Sequence, residues 1–586
     1  MSLNLPGDQM HPRLSLGHAG GYVVWEDNMT DGDGLGISAR MVNNYLSPVP
    51  QRTFRVNQQG VGDQERPAVQ SFDNGGAVFV WQSGTSGSQD IYARFLAADG
   101  TFATGDVLVN TTTAGQQGNA VVALLQDGNV IVTWTSQGQD GSMEGVYAQR
   151  LSPTGQKLGG EFRVNQFTPY NQRSPAVASL SGGGFVVAWI SEQQRFENSV
   201  DVYIRRFDTS GNPQTGELLV NTTTNVCSGP AIGAAADGGF LLAWSEMQVD
   251  DLTNGWDIFV RRFNADNTPA TSPARANVYT RHDQYSPNVS SIGSDFLVVW
   301  TSDMQDGSRE GVYGRFFRDA AFVGDEFKVN TWAISQQIHP TVASDGTSHF
   351  LVVWSSFVGG SGSFELLGQR YSADQSLAQP SPPFVAALDQ SQLSVSWPDL
   401  AGYTNLADYL VYVDSNSVPV SATGNHCVLA DLAPGSVHSI RIAYELSDGS
   451  RSPISEAATG KTWGRDSNYD GLPDDWQAQY WGSNPANWPS PLADSDGDGA
   501  SNLQEFLAGT DPTNPDSVLK LRILSTPQGS RLSWNCQPGF IYQVRISTDI
   551  TTWSDLGTAR FSPGTVDSIP LEALASGTFY RIVRVR

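Results

Sequence analysis

Short apolar runs that start at glycine and end at tryptophan recur along the first two thirds of the chain. GGYVVW ends at Trp25 and GGAVFVW ends at Trp81, and later copies end at Trp134, Trp189, Trp244, Trp300 and Trp354. The spacings are 56, 53, 55, 55, 56 and 54 residues. Each unit contains three further β-rich runs broken by Gly, Asn, Asp or Pro. The pattern predicts four strands per repeat and no helical periodicity.

Seven such repeats predict a mainly β fold in which residues 1–374 form a seven-bladed β-propeller, because each blade buries its faces only against its neighbours. A Val-Asn pair marks most fourth strands, from Val56-Asn57 to Val329-Asn330, and no copy follows the seventh Trp. Leu3-Asn4 aligns with these pairs. We therefore expect the N-terminal strand around Leu3 to close the last blade. An open array of β-sandwich repeats is the alternative.

The phrases GGFVVxW, VYxQRF and EFxVN resemble the blade repeats of large secreted bacterial proteins. The resemblance covers nearly two thirds of the chain and implies a propeller fold. It implies little about the ligand, because propellers carry many unrelated functions.

One residue precedes the first inner strand in every repeat, and two of these residues are histidines. In blade order they are His11, Arg66, Asn119, Ser174, Gly229, Ser286 and His339. Since blades one and seven adjoin, we expect His11 and His339 to meet near the channel mouth with Arg66 beside them. Such a group can bind a metal, a carboxylate or a sugar acid, with Asp27 or Glu246 as an acidic complement. The alternative is that a polar residue before proline merely begins a strand.

The loops after the second strands suggest two further candidates. Asp-Gly sequences recur at 31–34, 140–144 and 306–310, where hairpin-turn chemistry is the first explanation and weak calcium binding is the second. Trp256 lies in a longer loop and is a candidate for stacking on a sugar, although packing is the commoner role of a Trp. The candidate ligand-binding residues are His11, Arg66, Asn119, His339, Glu246 and Trp256.

Beyond a polar, Pro-rich linker at 375–382, two β-rich modules are predicted. Residues 383–462 resemble a fibronectin type III module, with Trp397 at the position of that family's core Trp and Leu432-Ala433-Pro434-Gly435 as its turn phrase. His438 stands where the family has its corner tyrosine. Residues 517–586 resemble the small β-sandwich that ends many secreted proteins of environmental bacteria.

Between these modules, at 463–516, lie two acidic loops of the EF-hand type. The second matches the calcium motif at every constrained position; its predicted ligands are Asp494, Asp496, Asp498, the carbonyl of Ala500, Asn502 and Glu505. The first has Gln at its twelfth position, which predicts weaker binding; its predicted ligands are Asp466, Asn468, Asp470, Leu472, Asp474 and Gln477. A short helix is expected after each. The pair resembles thrombospondin type 3 and dockerin-like repeats, and it predicts Ca²⁺ as the cofactor.

Composition narrows the classes of function. The chain has 34 Lys plus Arg against 59 Asp plus Glu, a net charge of −25, which disfavours nucleic acid and anionic membranes as partners. Its 3 cysteines are too few and too widely spaced for a disulfide framework. No apolar run is long enough to span a membrane, and no signal-peptide pattern begins the chain. The modules together predict an extracellular or cell-surface protein whose leader has been removed; a cytosolic chain is the alternative.

Three functions fit these features. The first is a non-catalytic binding or adhesion protein whose propeller face engages a glycan or a cell-surface protein. The second is a polysaccharide-degrading hydrolase or lyase with its site in the propeller mouth around His11, Arg66 and His339. The third is a structural subunit of a surface layer or extracellular assembly. No nucleophile, base and orienting group stand at a recognisable spacing.

Overall fold

The computed structural model describes residues 5, 7–248, 255–331, 335–358, 364–373, 377–398, 406–447, 449–526, 529–537, 539–562, 566–571 and 578–585. The chain divides into two compact units, Met1–Ala378 and Gln379–Arg586. No helix among these described residues is long and apolar enough to cross a membrane.

The first unit is a β-propeller, as predicted. It contains seven antiparallel sheets of four strands, and each sheet is ordered as in the chain. The first four sheets comprise β1 (Gln9–Gly17), β2 (Gly20–Asp27), β3 (Gly36–Val42), β4 (Pro48–Arg55); β5 (Gln64–Ser71), β6 (Ala77–Ser83), β7 (Asp90–Leu96), β8 (Val107–Leu108); β9 (Gln117–Leu124), β10 (Val130–Gln137), β11 (Glu144–Leu151), β12 (Lys157–Arg163); and β13 (Gln172–Ser179), β14 (Phe185–Glu192), β15 (Val200–Phe207), β16 (Leu218–Leu219).

The other three sheets complete the ring. They comprise β17 (Cys227–Ala234), β18 (Phe240–Met247), β19 (Trp256–Phe263), β20 (Ala274–Arg275); β21 (Gln284–Ile292), β22 (Asp295–Asp303), β23 (Glu310–Arg318), β24 (Ala321–Lys328); and β25 (Gln337–Ser344), β26 (His349–Phe357), β27 (Phe364–Ser372), β28 (Ala378–Gln379). The first strand of each sheet contacts the first strand of the next, and β25 contacts β1. The seven first strands therefore surround a central channel.

The blades are joined by apolar layers built on the repeated Trp. All seven Trp side chains are at most 1% exposed. Between blades seven and one, Leu14 and Trp25 share a buried cluster with Leu351 and Val353. The second strands can be apolar on both faces because each blade is covered on both sides by its neighbours.

The outer edge of the last blade differs in part from the prediction. The predicted closing strand falls at Leu3-Asn4, which lies outside the described residues. Among the described residues, β28 (Ala378–Gln379) holds the fourth position of the seventh sheet. This strand occupies part of the segment 375–382 that we predicted to be a linker, and Ala378 is buried against Val299 and Phe350.

The second unit combines the three predicted C-terminal segments in one compact body. Two sheets form its first sandwich: β29 (Phe384–Ala387), β30 (Leu393–Ser396) and β33 (His426–Leu429), and β31 (Leu406–Val413), β32 (Val420–Ala422), β34 (Val437–Leu446) and β35 (Ala458–Lys461). Trp397 is buried edge-on to Tyr409, with ring centroids 5.2 Å apart. His438 Nδ1 hydrogen-bonds Asp414 Oδ2 at 2.9 Å.

Two short helices and a second pair of sheets complete this unit. The helices are α1 (Asp474–Trp481) and α2 (Asn502–Ala508), with a 3₁₀ turn at Pro485–Asn487 between them. Ser501 and Gln504 form a capping box at the start of α2, and Gly509 ends it with a left-handed φ of 77°. The last strands are β36 (Leu521–Thr526), β37 (Gly529–Asn535), β38 (Ile541–Ser547), β39 (Ser554–Asp555), β40 (Arg560–Phe561), β41 (Val566–Leu571) and β42 (Phe579–Arg584).

Candidate functional site

A β-bulge lies at the same point in the first strand of every blade. The bulged residue has a left-handed φ between 49° and 57° in all seven blades: His11, Arg66, Asn119, Ser174, Gly229, Ser286 and His339. The register of each first strand against the second shifts at this point. Six of the seven bulged residues precede proline, which has no N–H for the bulge to leave unpaired.

A hydrogen bond between blades holds the bulge in place. In blades one, two and three the side chain of the residue that follows the Trp accepts the N–H of the bulged residue of the next blade. Gln82 Oε1 accepts from the Asn119 N–H at 2.9 Å, and Thr135 Oγ1 accepts from the Ser174 N–H at 3.1 Å. In blade one the acceptor is Glu26, whose Oε1 accepts from the Arg66 N–H.

Ionisable side chains collect at these repeated positions in blades seven, one and two. At the bulge these blades have His339, His11 and Arg66, where the others have Asn119, Ser174, Gly229 and Ser286. Two residues after the bulge, blade one has Arg13, where the others have Ala68, Val121, Ala176, Ala231, Asn288 and Thr341. After the Trp, blade one has Glu26, where the others have Gln82, Thr135, Ile190, Ser245, Thr301 and Ser355. We call His11, Arg13, Glu26, Arg66 and His339 the charged arc.

The centre of the charged arc is a histidine–carboxylate pair. His11 Nδ1 lies 2.7 Å from Glu26 Oε2, and Glu26 is 4% exposed. A buried carboxylate fixes the tautomer in which Nδ1 carries the proton, so the lone pair of His11 lies on Nε2. The ring of His339 packs against that of His11, with centroids 4.2 Å apart and planes inclined by 35°. The structure thus brings the two predicted histidines together.

His339 is held as a neutral imidazole. Burial lowers its pKa to about 3, and the positive charges of Arg13 and Arg66 act in the same direction. Its Nδ1 is buried and has no hydrogen-bond partner among the described residues. Because Nδ1 is unpaired and the ring is neutral, His339 adds no charge to the arc at neutral pH.

Two guanidinium groups flank the histidines without a carboxylate partner. The Arg66 side chain is exposed, and its guanidinium makes no hydrogen bond or ion pair within the part of the chain that the structure describes. Arg13 Nη1 donates to the carbonyl of Pro12 at 3.2 Å. The only described carboxylate in the arc is Glu26, whose two oxygens are already occupied by His11 Nδ1 and the Arg66 N–H. The arc therefore holds two guanidinium groups and one carboxylate.

The other sequence candidates lie elsewhere. Glu246 is 1% exposed in blade five, where it accepts hydrogen bonds from Thr223, Asn225 and Trp244. Blades six and seven separate it from blade one. Asp27 Oδ1 accepts from the N–H groups of Met29 and Thr30 at 3.1 and 2.7 Å, so its carboxylate caps its own loop. The expected acidic complement is thus corrected: Glu26 holds that place, and neither Asp27 nor Glu246 does.

Asn119 and Trp256 are also outside the arc. Asn119 occupies the bulge of blade three, next to blade two. Trp256 begins β19, and its backbone N–H donates to Asp283 Oδ1 at 3.1 Å. The loop that precedes it, 249–254, lies outside the described residues. A role for Trp256 in stacking on a sugar therefore stays a prediction.

Sequence reasoning missed Glu26 and Arg13. Both occupy positions that are uncharged in the six other blades, so aligning the repeats position by position reveals them. The predicted acidic complement, Asp27 or Glu246, is instead the residue two places after a blade Trp. That residue lies on the opposite face of the strand, because side chains alternate along a strand.

The Asp-Gly loops of the propeller have a structural role. Asp31 Oδ2 accepts from Asn57 Nδ2 at 3.1 Å, and Asp306 Oδ2 accepts from Asn330 Nδ2 at 3.1 Å. The same asparagines accept a third-strand N–H, as Asn57 Oδ1 does from Ile37 at 2.9 Å. This arrangement explains the repeated Val-Asn pair, because its Asn ties the outer end of the blade to the loop before the third strand.

In the second unit, Asp494, Asp496 and Asp498 converge as a calcium loop requires. One carboxylate oxygen from each lies within 4.8 Å of the others. Asp496 Oδ2, Asp498 Oδ2 and Glu505 Oε2 are buried and have no hydrogen-bond partner among the described residues. Burial, together with the charge of Asp496, raises the pKa of Glu505 to about 7. Orphaned carboxylate oxygens in this arrangement fit a hard divalent cation.

In the loop from Asp466 to Gln477, side-chain amides donate hydrogen bonds to a carboxylate oxygen. Gln477 is fully buried, and its Nε2 donates to Asp470 Oδ2 at 2.9 Å. Asn468 Nδ2 donates to the same oxygen at 2.9 Å. Asp474 Oδ1 accepts from the Ser467 N–H at 3.0 Å. Amide hydrogens thus take up part of the negative charge that a cation would neutralise in the other loop.

Comparison with known proteins gives neighbours in structure. No family model matches the chain, and no curated protein matches it. A polysaccharide lyase described as an ulvan lyase, bound to -[GlcA(1-4)Rha3S]-, is similar with 11% identity and a TM-score of 0.41, covering 64% of this chain and 98% of its own. The α-L-arabinanase of Penicillium chrysogenum has 11% identity, a TM-score of 0.38 and coverages of 54% and 94%. The endo-arabinase of Bacteroides thetaiotaomicron has 14% identity, a TM-score of 0.31 and coverages of 54% and 97%.

These neighbours correct the first functional interpretation. A non-catalytic binding or adhesion protein was expected, whereas the neighbours named above are glycoside hydrolases and a polysaccharide lyase. A sucrose-6-phosphate hydrolase of Lactobacillus gasseri is a further neighbour. This comparison contradicts that interpretation and favours the enzyme alternative. At such identities the likeness is one of fold, so the residues of this chain have to carry any account of its chemistry.

Proposed function

We propose that this protein is a polysaccharide-degrading hydrolase or lyase whose active site is the charged arc. The observation that carries the proposal is the concentration of five ionisable residues on blades seven, one and two, at positions that are uncharged in the remaining blades. A fold of identical blades needs no such residues for stability, because the other blades form without them. Departures from a repeat that cluster at one place are therefore evidence for a site.

The His11–Glu26 pair supplies the general base in this proposal. The carboxylate orients the imidazole and stabilises the imidazolium that forms when Nε2 takes a proton. Arg13 and Arg66 supply positive charge that is available to a developing negative charge on the substrate.

The test is degradation of a panel of neutral and acidic polysaccharides by the full chain, followed through the release of new chain ends. We expect His11→Ala to lower kcat/KM by about 10²- to 10⁴-fold, the usual contribution of a general base. Ser174→Ala changes the same bulge position in blade four and is the matched control, expected to keep full activity. Equal activity of His11→Ala and the unsubstituted protein would overturn the assignment, as would inertness of the unsubstituted protein on every polymer.

We also propose that the loop from Asp494 to Glu505 binds one Ca²⁺. The support is the set of orphaned oxygens on Asp496, Asp498 and Glu505 together with the convergence of the three aspartates. Calcium would join this loop to α2 through Glu505, and the next residue, Phe506, packs on Trp476 of α1 at 5.3 Å between ring centroids. Calorimetric titration of the full chain with Ca²⁺ tests the proposal. One site of millimolar or tighter affinity is expected, and its absence would overturn it.

A further inference from the structure

The chemistry of the charged arc points to one class of substrate and one way of cleaving it. We infer that the arc cleaves acidic polysaccharides by β-elimination beside a uronic acid, with Arg66 binding the uronate carboxylate and His11 removing the proton next to it. The inference rests on the proposed function and adds to it the substrate class, the bond that breaks and the role of each residue.

The first step is the number of carboxylates available in the arc. Hydrolysis of a glycosidic bond ordinarily uses two carboxyl groups that flank the bond, one as acid and one as base or nucleophile. Among the described residues, the arc has Glu26 alone. Its Oε2 is bonded to His11 and its Oε1 to the Arg66 N–H, and only 4% of the residue is exposed. Glu26 is therefore a positioning residue, and none of the other four residues of the arc is a carboxylic acid.

The second step is the excess of positive charge. Arg66 and Arg13 carry two positive charges, Glu26 carries one negative charge, and His339 is neutral because its pKa is lowered to about 3. This excess stands in a protein whose net charge is −25. A positive site in an acidic protein attracts an anionic group locally while the remaining surface repels it. A guanidinium binds a carboxylate through two parallel hydrogen bonds, and that of Arg66 is exposed and unpaired within the described chain.

The third step is the geometry of the base. His11 has its Nδ1 on Glu26, so Nε2 is the atom that can accept a proton. The ring of His339 packs against the His11 ring, with centroids 4.2 Å apart, and limits its rotation. The backbone N–H of Arg66 donates to the same Glu26. One buried carboxylate therefore contacts both the base and the anion-binding residue. This shared support holds the backbone of Arg66 next to the carboxylate that orients the base.

The reaction balances within these groups. The carbon next to the uronate carboxylate loses its proton to His11 Nε2, and the negative charge that develops on the carboxylate is stabilised by Arg66. The electron pair of that C–H bond forms the C4=C5 double bond, and the bond between C4 and the glycosidic oxygen breaks. The departing oxygen keeps the electron pair of that bond and takes the proton back from the His11 imidazolium. No water is consumed, and neither an oxidant nor a reductant takes part.

The experiment uses the full chain on polygalacturonate, alginate and glucuronan, and on the same polymers after reduction of their carboxyl groups to alcohols. Cleavage is followed by mass spectrometry, in which an eliminated product is lighter than the hydrolysed one by one water, together with the ultraviolet absorbance of an unsaturated uronate. We expect cleavage of at least one acidic polymer, the ultraviolet absorbance, products lighter by one water, and no cleavage of the carboxyl-reduced form. Arg66→Met keeps the backbone N–H that binds Glu26 and is expected to lower kcat/KM by about 10²-fold or more.

The outcomes separate this inference from the proposed function. Products that have the mass of hydrolysed chains and lack the double bond would overturn β-elimination while leaving a polysaccharide hydrolase. Cleavage of neutral polymers alone would overturn the acidic substrate class. Full activity of Arg66→Met, with Ser174→Ala as the matched control, would overturn the role of Arg66. Inertness toward every acidic and neutral polymer would overturn the proposed function itself.

Discussion

His11 Nδ1 and Glu26 Oε2 lie 2.7 Å apart on adjacent strands of blade one, and the same carboxylate accepts the backbone N–H of Arg66 in blade two. Glu26 thus performs the task that Gln82 and Thr135 perform in the next two blades and, in addition, fixes an imidazole. The catalytic assignment depends on this double role, which can be separated by substitution.

Glu26→Gln separates the two roles. Gln82 shows that a glutamine at this position accepts the bulged N–H of the following blade. The variant is therefore expected to fold with a Tm close to that of the unsubstituted protein and to lose about 10- to 100-fold in kcat, because the imidazolium of His11 loses its counter-charge. Thermal melts and kinetics on the best polymer measure both. A large fall in Tm with unchanged kcat would show that Glu26 has only the structural role.

His339 makes the propeller sensitive to acid. Its pKa is lowered to about 3 in the folded state, against an ordinary value near 6.5, so below about pH 6.5 the unfolded chain binds a proton that the folded chain does not. Stability is therefore lost as the pH falls, by about 1 to 2 kcal/mol at pH 5. His339→Phe keeps the ring and removes the titration. Denaturant melts at pH 7.5 and pH 5 should show a smaller loss in the variant, and an equal loss would contradict the assignment.

The calcium loop should stabilise only the second unit. Glu505→Gln keeps the shape of a buried side chain and removes one of the two carboxylate oxygens. We expect the calcium-dependent rise in Tm of the second unit to fall to less than half, with the propeller transition unchanged. Calorimetry with millimolar Ca²⁺ and with chelator measures it. Asp516→Asn, an exposed acidic position outside the loop, is the control.

Gln477→Glu should convert the other loop into a stronger calcium site. It replaces an amide that donates to Asp470 by the bidentate carboxylate of the twelfth position. In chelator, the added buried charge is expected to lower the stability of the second unit by about 1 to 3 kcal/mol, and calcium should restore it. Titration calorimetry should then show two sites. A variant destabilised equally with and without calcium would contradict the prediction.

The asparagine that follows the fourth strand should be costly to remove, and in blade five it is Asn277, preceded by Ala276 in place of the usual Val. Asn277 is 2% exposed, accepts from the Ile258 N–H at 2.8 Å and donates to Asp257 at 2.6 Å and to Gln284 at 3.1 Å. Asn277→Ala leaves these buried groups unpaired, and we expect a loss of about 2 to 4 kcal/mol by denaturant melts. The exposed Asn514 provides the control substitution to alanine. A loss below about 1 kcal/mol would show that water replaces the asparagine.

Much of the fold could be predicted from the sequence because the same pattern of residues recurs in seven repeats. The Trp spacing predicted the four-stranded units and the propeller, and adjacency of the first and last blades predicted the meeting of His11 and His339. The position of Glu26 was not predicted. The face of the blade on which a side chain lies depends on the strand register, and the bulge shifts that register by one residue. The strand Ala378–Gln379 was hidden because two residues within a polar, Pro-rich segment carry no periodicity.

The candidate chemistry was only partly visible in the sequence. Arg66 and the two histidines were found because they share the place before the first inner strand, but their environment was not. Whether a histidine is neutral or charged depends on burial and on neighbours from other blades, as at His339. The calcium loop was the opposite case, because all its ligands lie within twelve consecutive residues and their spacing alone describes the site.

The left-handed bulges have an evolutionary consequence. Since imidazole, guanidinium, amide, hydroxyl and a bare glycine all occur at one backbone geometry, the scaffold tolerates almost any side chain there. Single substitutions at the seven bulge positions can therefore change what the channel mouth recognises without altering the structure of a blade. A protein built in this way can acquire a new specificity by altering the order of residues around a ring while every strand stays where it was.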